Sequence, residues 1–413
     1  MFSLPESARL ALRMLHDGGY EAYIVGGCVR DYLRGAVPSD IDITTSALPE
    51  EIKAVFAGFR TFDTGIRHGT VTVLIGRDTF EVTTYRVDGA YSDGRHPDGV
   101  TFSRSLREDA ARRDFTVNAM AYCEETGVVD FFGGQADLAA GVLRCVGDPV
   151  TRFTEDSLRI LRAMRFSATL GYRIEAQTSA AMMQCAPLMV RVSAERIWTE
   201  LAKLLCGKNA PEVLAEYLPV LSPALPELAD SLPMAERIAQ RCGRLPAEPS
   251  IRLAGLLYGS PEQKVAAAVT RLKTDNRTKN TVLALCADPG APIPADRPAV
   301  RRLVGSLGPE NALLWLAVRW ADTESEAVKA AEELCRSVIQ NGDCCRIASL
   351  EIDGGMLSPL HGAEIGRMLQ ALLDEVIDGR LKNERGALLE RAKALIDSEN
   401  DLPGESSGGK EEI

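Results

Sequence analysis

Residues 24–45, IVGGCVRDYLRGAVPSDIDITT, constrain this chain more than any other stretch. The apolar run Tyr23-Ile24-Val25 predicts a buried strand, and Gly26-Gly27 break it. A helical stretch from Cys28 to Leu33 follows, ended by Gly35 and Pro38. Residues 39–44 then alternate polar and apolar, which predicts a strand with Asp40 and Asp42 on one face and Ile41 and Ile43 on the other.

Two neighbouring carboxylates repel unless a cation lies between them, and oxygen ligands of this kind suit Mg²⁺ completed by substrate phosphates. Gly27, in a turn that opens a helix, lets a phosphate approach free backbone N–H groups, and Arg30 one turn later adds a charged donor. A Gly-Gly turn alone is an ordinary turn, and Asp-x-Asp alone an ordinary solvated edge. The two joined by a helix within about twenty residues form a far more specific pattern, suited to metal-dependent nucleotidyl transfer. The stretch resembles the nucleotidyltransferase superfamily that includes DNA polymerase β. The fuller string GG-x-VRD-x-L-x-G with D-x-D-I resembles its branch of class II tRNA nucleotidyltransferases and bacterial poly(A) polymerases.

A chain of 413 residues is long for one core and predicts two to four domains. No stretch has the length of a membrane span, and the N-terminus lacks the basic and apolar regions of a secretory signal, so no membrane partner is expected. The ten cysteines are scattered without a CxxC pair, which predicts a reduced, cytoplasmic setting. The net charge is −11, but residues 397–413 hold six acids and one lysine and are predicted to be a disordered acidic tail. The remaining −6 allows a local basic surface and excludes a generally basic RNA-binding protein.

Farther along, Leu48–Phe56 predict a short helix, and residues 68–86 a hairpin turning at Gly76-Arg77-Asp78. Glu81, on its second strand, is either a solvated strand position or a third carboxylate near the metals. Residues 87–111 predict a long polar loop, and the resemblance implies that it serves addition of the final adenosine. Arg112, Arg113 and Asp114 could form a surface ion pair. The resemblance instead implies that RRDFTVNAM is a second motif, with Arg113 on the nucleotide, Asp114 near the ribose, and Asn118 part of the same motif. Asp148-Pro149 mark a boundary.

Residues 152–166, RFTEDSLRILRAMRF, predict a helix capped by Thr154, with Arg159, Arg162 and Arg165 recurring every third residue. A solvated face with ion pairs is the simpler reading of those charges. Base chemistry offers another. Cytosine and adenine each present an amino donor beside a ring-nitrogen acceptor. A carboxylate and a guanidinium match that pair, and mismatch uracil and guanine. The segment resembles the family's EDxxR motif, which implies that Asp156 and Arg159 read the base, Glu155 orients Arg159, and Arg162 and Arg165 contact the nucleotide.

Beyond residue 170 the pattern is helical. The expected fold is therefore an α/β nucleotidyltransferase (DNA polymerase β-like) head followed by an all-α C-terminal half of neck, body and tail. The boundaries are 1–150 for the head, 151–210 for the neck, 211–325 for the body, 326–396 for a tRNA-binding helical tail and 397–413 for the acidic tail. In 193–207, Ser193 and Glu195 are adequately explained as a helix start. In 349–396, Gly362 and Gly366 suit either an ordinary helical hairpin or a phosphate grip on tRNA. The resemblance implies template-independent addition of CCA to tRNA from CTP and ATP with Mg²⁺. The alternatives are a poly(A) polymerase, a CC-only or A-only enzyme, and a non-catalytic nucleotide-binding regulatory module.

Overall fold

The computed structural model describes residues 4–38, 40–89 and 100–400. Its first elements are α1 (Glu6–Asp17), β1 (Ala22–Val25), α2 (Gly27–Leu33), β2 (Asp42–Thr45), α3 (Pro49–Val55), β3 (Arg60–Gly65), β4 (Thr70–Ile75) and β5 (Asp78–Thr84). There follow β6 (Arg86–Asp88), β7 (Val100–Phe102), α4 (Leu106–Ala111), β8 (Ala121–Cys123), β9 (Gly127–Val129), α5 (Gly134–Ala140) and β10 (Val142–Leu143). Among the described residues seven of these strands form one sheet in the order β3-β4-β5-β2-β1-β8-β9. Within it β2 and β5 run parallel and the other neighbouring pairs antiparallel.

Alternation along the strands decides which face is core. Ile43 of β2, Val71 and Val73 of β4, and Phe80 and Val82 of β5 are buried in one cluster with Leu12 and Leu15 of α1, Ile52 of α3, and Phe56. Each large side chain so buried contributes about 1.5–3 kcal/mol. Because side chains alternate across a strand, Asp42 and Glu81 face away from that core, and the parallel pairing sets them directly opposite each other. The hairpin turn at Gly76 is as expected, with φ of 65°.

Three expectations are corrected. Asp40 precedes β2 instead of lying on it, since the strand begins at Asp42. Residues 87–111 are not loop throughout. They include the β6–β7 pair and α4, and the remaining expectation of a loop falls on 90–99, outside the described residues. Thr154 does not cap a helix, because α6 (Pro149–Glu155) begins at Asp148, whose carboxylate accepts from the N–H of Thr151 at 2.7 Å. The boundary pair Asp148-Pro149 is thus a helix start.

α7 (Leu158–Leu170), β11 (Arg173–Ile174), α8 (Ala176–Cys185), α9 (Ala194–Leu205), α10 (Ala210–Leu221), α11 (Ala235–Arg244), α12 (Pro249–Leu257) and α13 (Glu262–Arg271) follow. The chain divides into two compact units, Met1–Lys279 and Asn280–Ile413, within α14 (Asn276–Cys286). The second unit holds α15 (Arg297–Leu307), α16 (Pro309–Thr323), α17 (Glu326–Gln340), α18 (Ala363–Ile377) and α19 (Arg385–Asn400). Leu372, Leu373 and Val376 of α18 pack with Leu388 and Ala392 of α19 in its core. Gly362, with φ of 54°, precedes α18 as expected, whereas Gly366 lies inside that helix. α19 includes Asp397–Asn400, assigned from the sequence to the acidic tail, and residues 401–413 lie outside the described residues. Among the described residues no helix is long and apolar enough to cross a membrane.

Candidate active site

A cleft of about 530 Å³ opens in the first unit. Of the residues singled out from the sequence, Gly27, Arg30, Asp40, Asp42, Arg113, Asp156, Arg159, Arg162 and Arg165 line it, as do Asp114 and Asn118. Glu81 does not line it.

Its floor is the β1–α2 turn and the start of β2. Gly26 sits at φ 78°, in the left-handed region, and a Cβ there would come within 3.1 Å of Arg113 Nη1. The position that requires glycine is therefore Gly26, while Gly27 opens α2, a helix of only seven residues. Asp42 lies partly in solvent, yet the surrounding protein desolvates it enough to push its carboxyl up to about 6. The negative charges of Glu81 and Asp40 add to that rise, and Arg113 works against it. A cation bound beside these carboxylates would favour the ionised form of Asp42. Among the described residues no three His, Cys, Asp or Glu side chains are grouped to hold a metal by themselves. Two carboxylates suffice for Mg²⁺ when substrate phosphates and water complete its shell, so the donor set fits the ion.

A chain of ion pairs lines the wall. Arg30 donates to the carboxylate of Asp31 through Nε and Nη2, both at 2.9 Å, and to Asn118 Oδ1 at 2.7 Å. Arg30 is buried and lines the cleft with these contacts made. Asn118 Nδ2 donates to Asp114 Oδ1 at 3.1 Å, and Arg162 donates to Asp114 Oδ2 at 2.9 and 2.6 Å. Burial acts to raise the Asp114 carboxyl, but Arg162, Asn118 and Arg159 outweigh it and hold the group at about 2. Asp109, fully buried on α4, pairs with both Arg112 and Arg113 and accepts from Thr44 of β2, so it ties the second motif to the catalytic strand. The guanidiniums of Arg30, Arg162 and Arg165 lie 5.3, 5.3 and 3.8 Å from the Phe166 ring centre.

Asp156 does not lie on a helix. It is the extended residue between α6 and α7, at φ −135° and ψ 101°, and its Oδ1 accepts from the Leu158 N–H at 3.1 Å. Thr154, Asp156 and Ser157 could each cap a helix; Ser157 is the residue at the cap of α7, but the side chain that accepts from the first helical N–H is that of Asp156. Arg159, on α7, donates to Glu155 at 2.8 Å, to the Arg112 carbonyl at 2.8 Å and to the Arg152 carbonyl at 3.2 Å. The expected orienting contact from Glu155 is present.

Sequence reasoning missed the facing wall. On α9, Arg196, Glu200 and Lys203 recur at four and three residues, the spacing of one helix face. Arg196 Nη2 donates to Asp156 Oδ2 at 2.7 Å. Glu200, buried, accepts from Arg165 Nε at 2.5 Å and lies 3.6 Å from Arg162 Nη1. Lys203 lines the cleft. That stripe was visible in the sequence, but nothing there said which helix it would face.

The model of the poly A polymerase head domain matches residues 22–144, and that of the probable RNA and SrmB-binding site of polymerase A matches 171–232. The CCA-adding enzyme of Leuconostoc mesenteroides is 50% identical over 207 residues, a match that spans about half of each protein (50% of this chain, 51% of the relative). That of Lactiplantibacillus plantarum is 36% identical across 96% of this chain and 97% of its own length. The crystal structure of the Bacillus stearothermophilus CCA-adding enzyme in complex with CTP superposes with a TM-score of 0.78 at 31% identity, covering 96% of this chain and 98% of that one.

Proposed function

The chain belongs to the family of CCA-adding enzymes, and from that membership we propose that it adds C, C and A to the 3′ end of tRNA from CTP and ATP. The supporting observation is one cleft that gathers two carboxylates, an arginine-lined wall, and the Asp156 and Arg159 side chains. As a nucleotidyltransferase it uses a divalent metal, which we assign as Mg²⁺ held by Asp40 and Asp42. When bound, the ion neutralises developing charge on the transferred phosphoryl group and favours ionisation of the attacking hydroxyl. The tRNA 3′-OH attacks the α-phosphorus of the nucleotide, the bond to the β-phosphate oxygen breaks, and pyrophosphate leaves.

The protein's own contribution is position. Arg162 and Arg165 are steered by Asp114 and Glu200, which leaves the Nη groups of Arg165 to meet phosphate oxygens. Arg113, anchored by Asp109, and the backbone at Gly26-Gly27 approach the same region, and Arg30 braces it. Asp156 accepts from the exocyclic amine of cytosine or adenine, and Arg159 donates to the adjacent ring nitrogen. UTP and GTP would place a carbonyl against the carboxylate, which excludes them. On this reading the head (1–150) and neck (151–210) carry chemistry and base choice, while the body (211–325) and tail (326–396) hold the tRNA. The reaction belongs in the cytoplasm.

The deciding experiment is a product ladder: tRNAs ending before CCA, CC or C are offered each nucleoside triphosphate singly and in pairs. The proposal expects stepwise C, C and A. Arrest at CC, addition of A alone, or runs of A would each replace it with the corresponding narrower or different activity.

A further inference from the structure

Base choice by Asp156 demands more than a carboxylate in the right place. The group must present a lone pair along the direction of the base's amine, so its plane has to be fixed. Backbone alone cannot do this, because Asp156 lies in the break between α6 and α7. Leu158 N–H holds Oδ1, and the second anchor arrives from another element, since Arg196 of α9 holds Oδ2 at 2.7 Å. With one donor on each oxygen, the carboxylate can no longer rotate freely, and each oxygen keeps a lone pair for the base.

The arginine is held at a cost. Its Nη1 is buried and makes no hydrogen bond, although buried donors in stable folds are nearly always paired. An arginine that served packing alone would not be expected to leave a donor so placed. Its ion pair with Asp156 is the contact that accounts for its position.

We infer that Arg196 is a specificity-positioning residue, which fixes the Asp156 carboxylate from the neighbouring helix so that it accepts only from an amino-bearing base. The inference rests on the assignment of Asp156 as a base reader. It places one determinant of nucleotide choice on the helix that follows the reading segment, outside the E-D-x-x-R string.

The test compares kcat/KM for CTP against UTP on tRNA lacking CCA, and for ATP against GTP on tRNA ending in CC. Wild type, Arg196→Ala, Arg196→Lys and Asp156→Asn are measured side by side, with tRNA Kd and melting temperature recorded for each. Arg196→Ala should lower both selectivity ratios by about tenfold, with tRNA Kd unchanged. Arg196→Lys, which keeps a donor but loses the planar fork, should recover part of that loss. If CTP and UTP efficiencies fall together in Arg196→Ala, the inference is overturned. Should that variant fail to fold, full wild-type selectivity in Arg196→Lys overturns it, and an intermediate ratio supports it. Asp156→Asn separates the two levels. Relaxed selectivity there with none in the Arg196 variants removes only the inference, whereas unchanged selectivity in Asp156→Asn removes the base-reading assignment beneath it.

Discussion

Asp114 shows how single residues in this cleft are governed by their partners. Burial would ordinarily keep a carboxyl protonated, yet Arg162 and Asn118 bring it down to about 2. A folded-state value below the ordinary one of 3.8 means that the ionised group stabilises the fold above 3.8, and that this contribution fades as pH falls from 3.8 to 2. A fall from 3.8 to about 2 corresponds to about 2–3 kcal/mol. Asp114→Asn should therefore lower unfolding free energy by about 2 kcal/mol at pH 7, and the gap from wild type should narrow in urea melts taken below pH 4. A gap equal at pH 7 and pH 3 would show that packing, not charge, is lost. Asp42 behaves in the opposite sense, because desolvation and the charges of Glu81 and Asp40 outweigh the pull of Arg113. Asp42→Ala or Asp40→Ala should reduce incorporation at least a hundredfold while leaving the melting temperature at or above that of wild type. Incorporation within about tenfold of wild type would remove the metal assignment.

At the scale of elements, what could be read from the sequence was whatever local periodicity carries. The β1–α2–β2 order, the β4–β5 hairpin and the arginine row of α7 all follow from spacing. The break at Asp156 did not, because Thr154, Asp156 and Ser157 compete as caps and only the packed structure selects among them. The strand β3 was missed since Arg60–Gly65 has little apolar alternation and gains its place by pairing with β4. The face of α9 was missed for a related reason: its charges look like a solvated stripe until α7 is set beside it. That stripe predicts a measurable coupling. Glu200 is buried between two arginines, so Glu200→Gln leaves two guanidiniums short of a counter-charge. Arg162 keeps Asp114, which limits the cost to about 1–2 kcal/mol. The variant should raise KM for CTP and ATP alike, since phosphates and not bases are affected. A rise for one nucleotide only would place Glu200 in base choice.

For the molecule as a whole, charge sets the terms on which tRNA arrives. A net charge of −11 repels a polyanion at distance, while the arginines of the cleft attract it only at short range. Residues 401–413 carry four acids and one lysine, so they supply three of those net negative charges. Repulsion of this kind acts beyond contact and is screened over about 8 Å at physiological ionic strength. Removal of 401–413 should therefore speed tRNA association about two- to threefold at low salt, with little change in dissociation. The advantage should vanish as ionic strength approaches 0.5 M, where even the full chain's charges are screened beyond about 4–5 Å. Stopped-flow association with labelled tRNA across a salt series measures this directly. Equal association rates at 20 mM salt would show that the segment's charge is not felt by the incoming tRNA. A slower rate in the shortened chain would reverse the sign and assign those residues to binding.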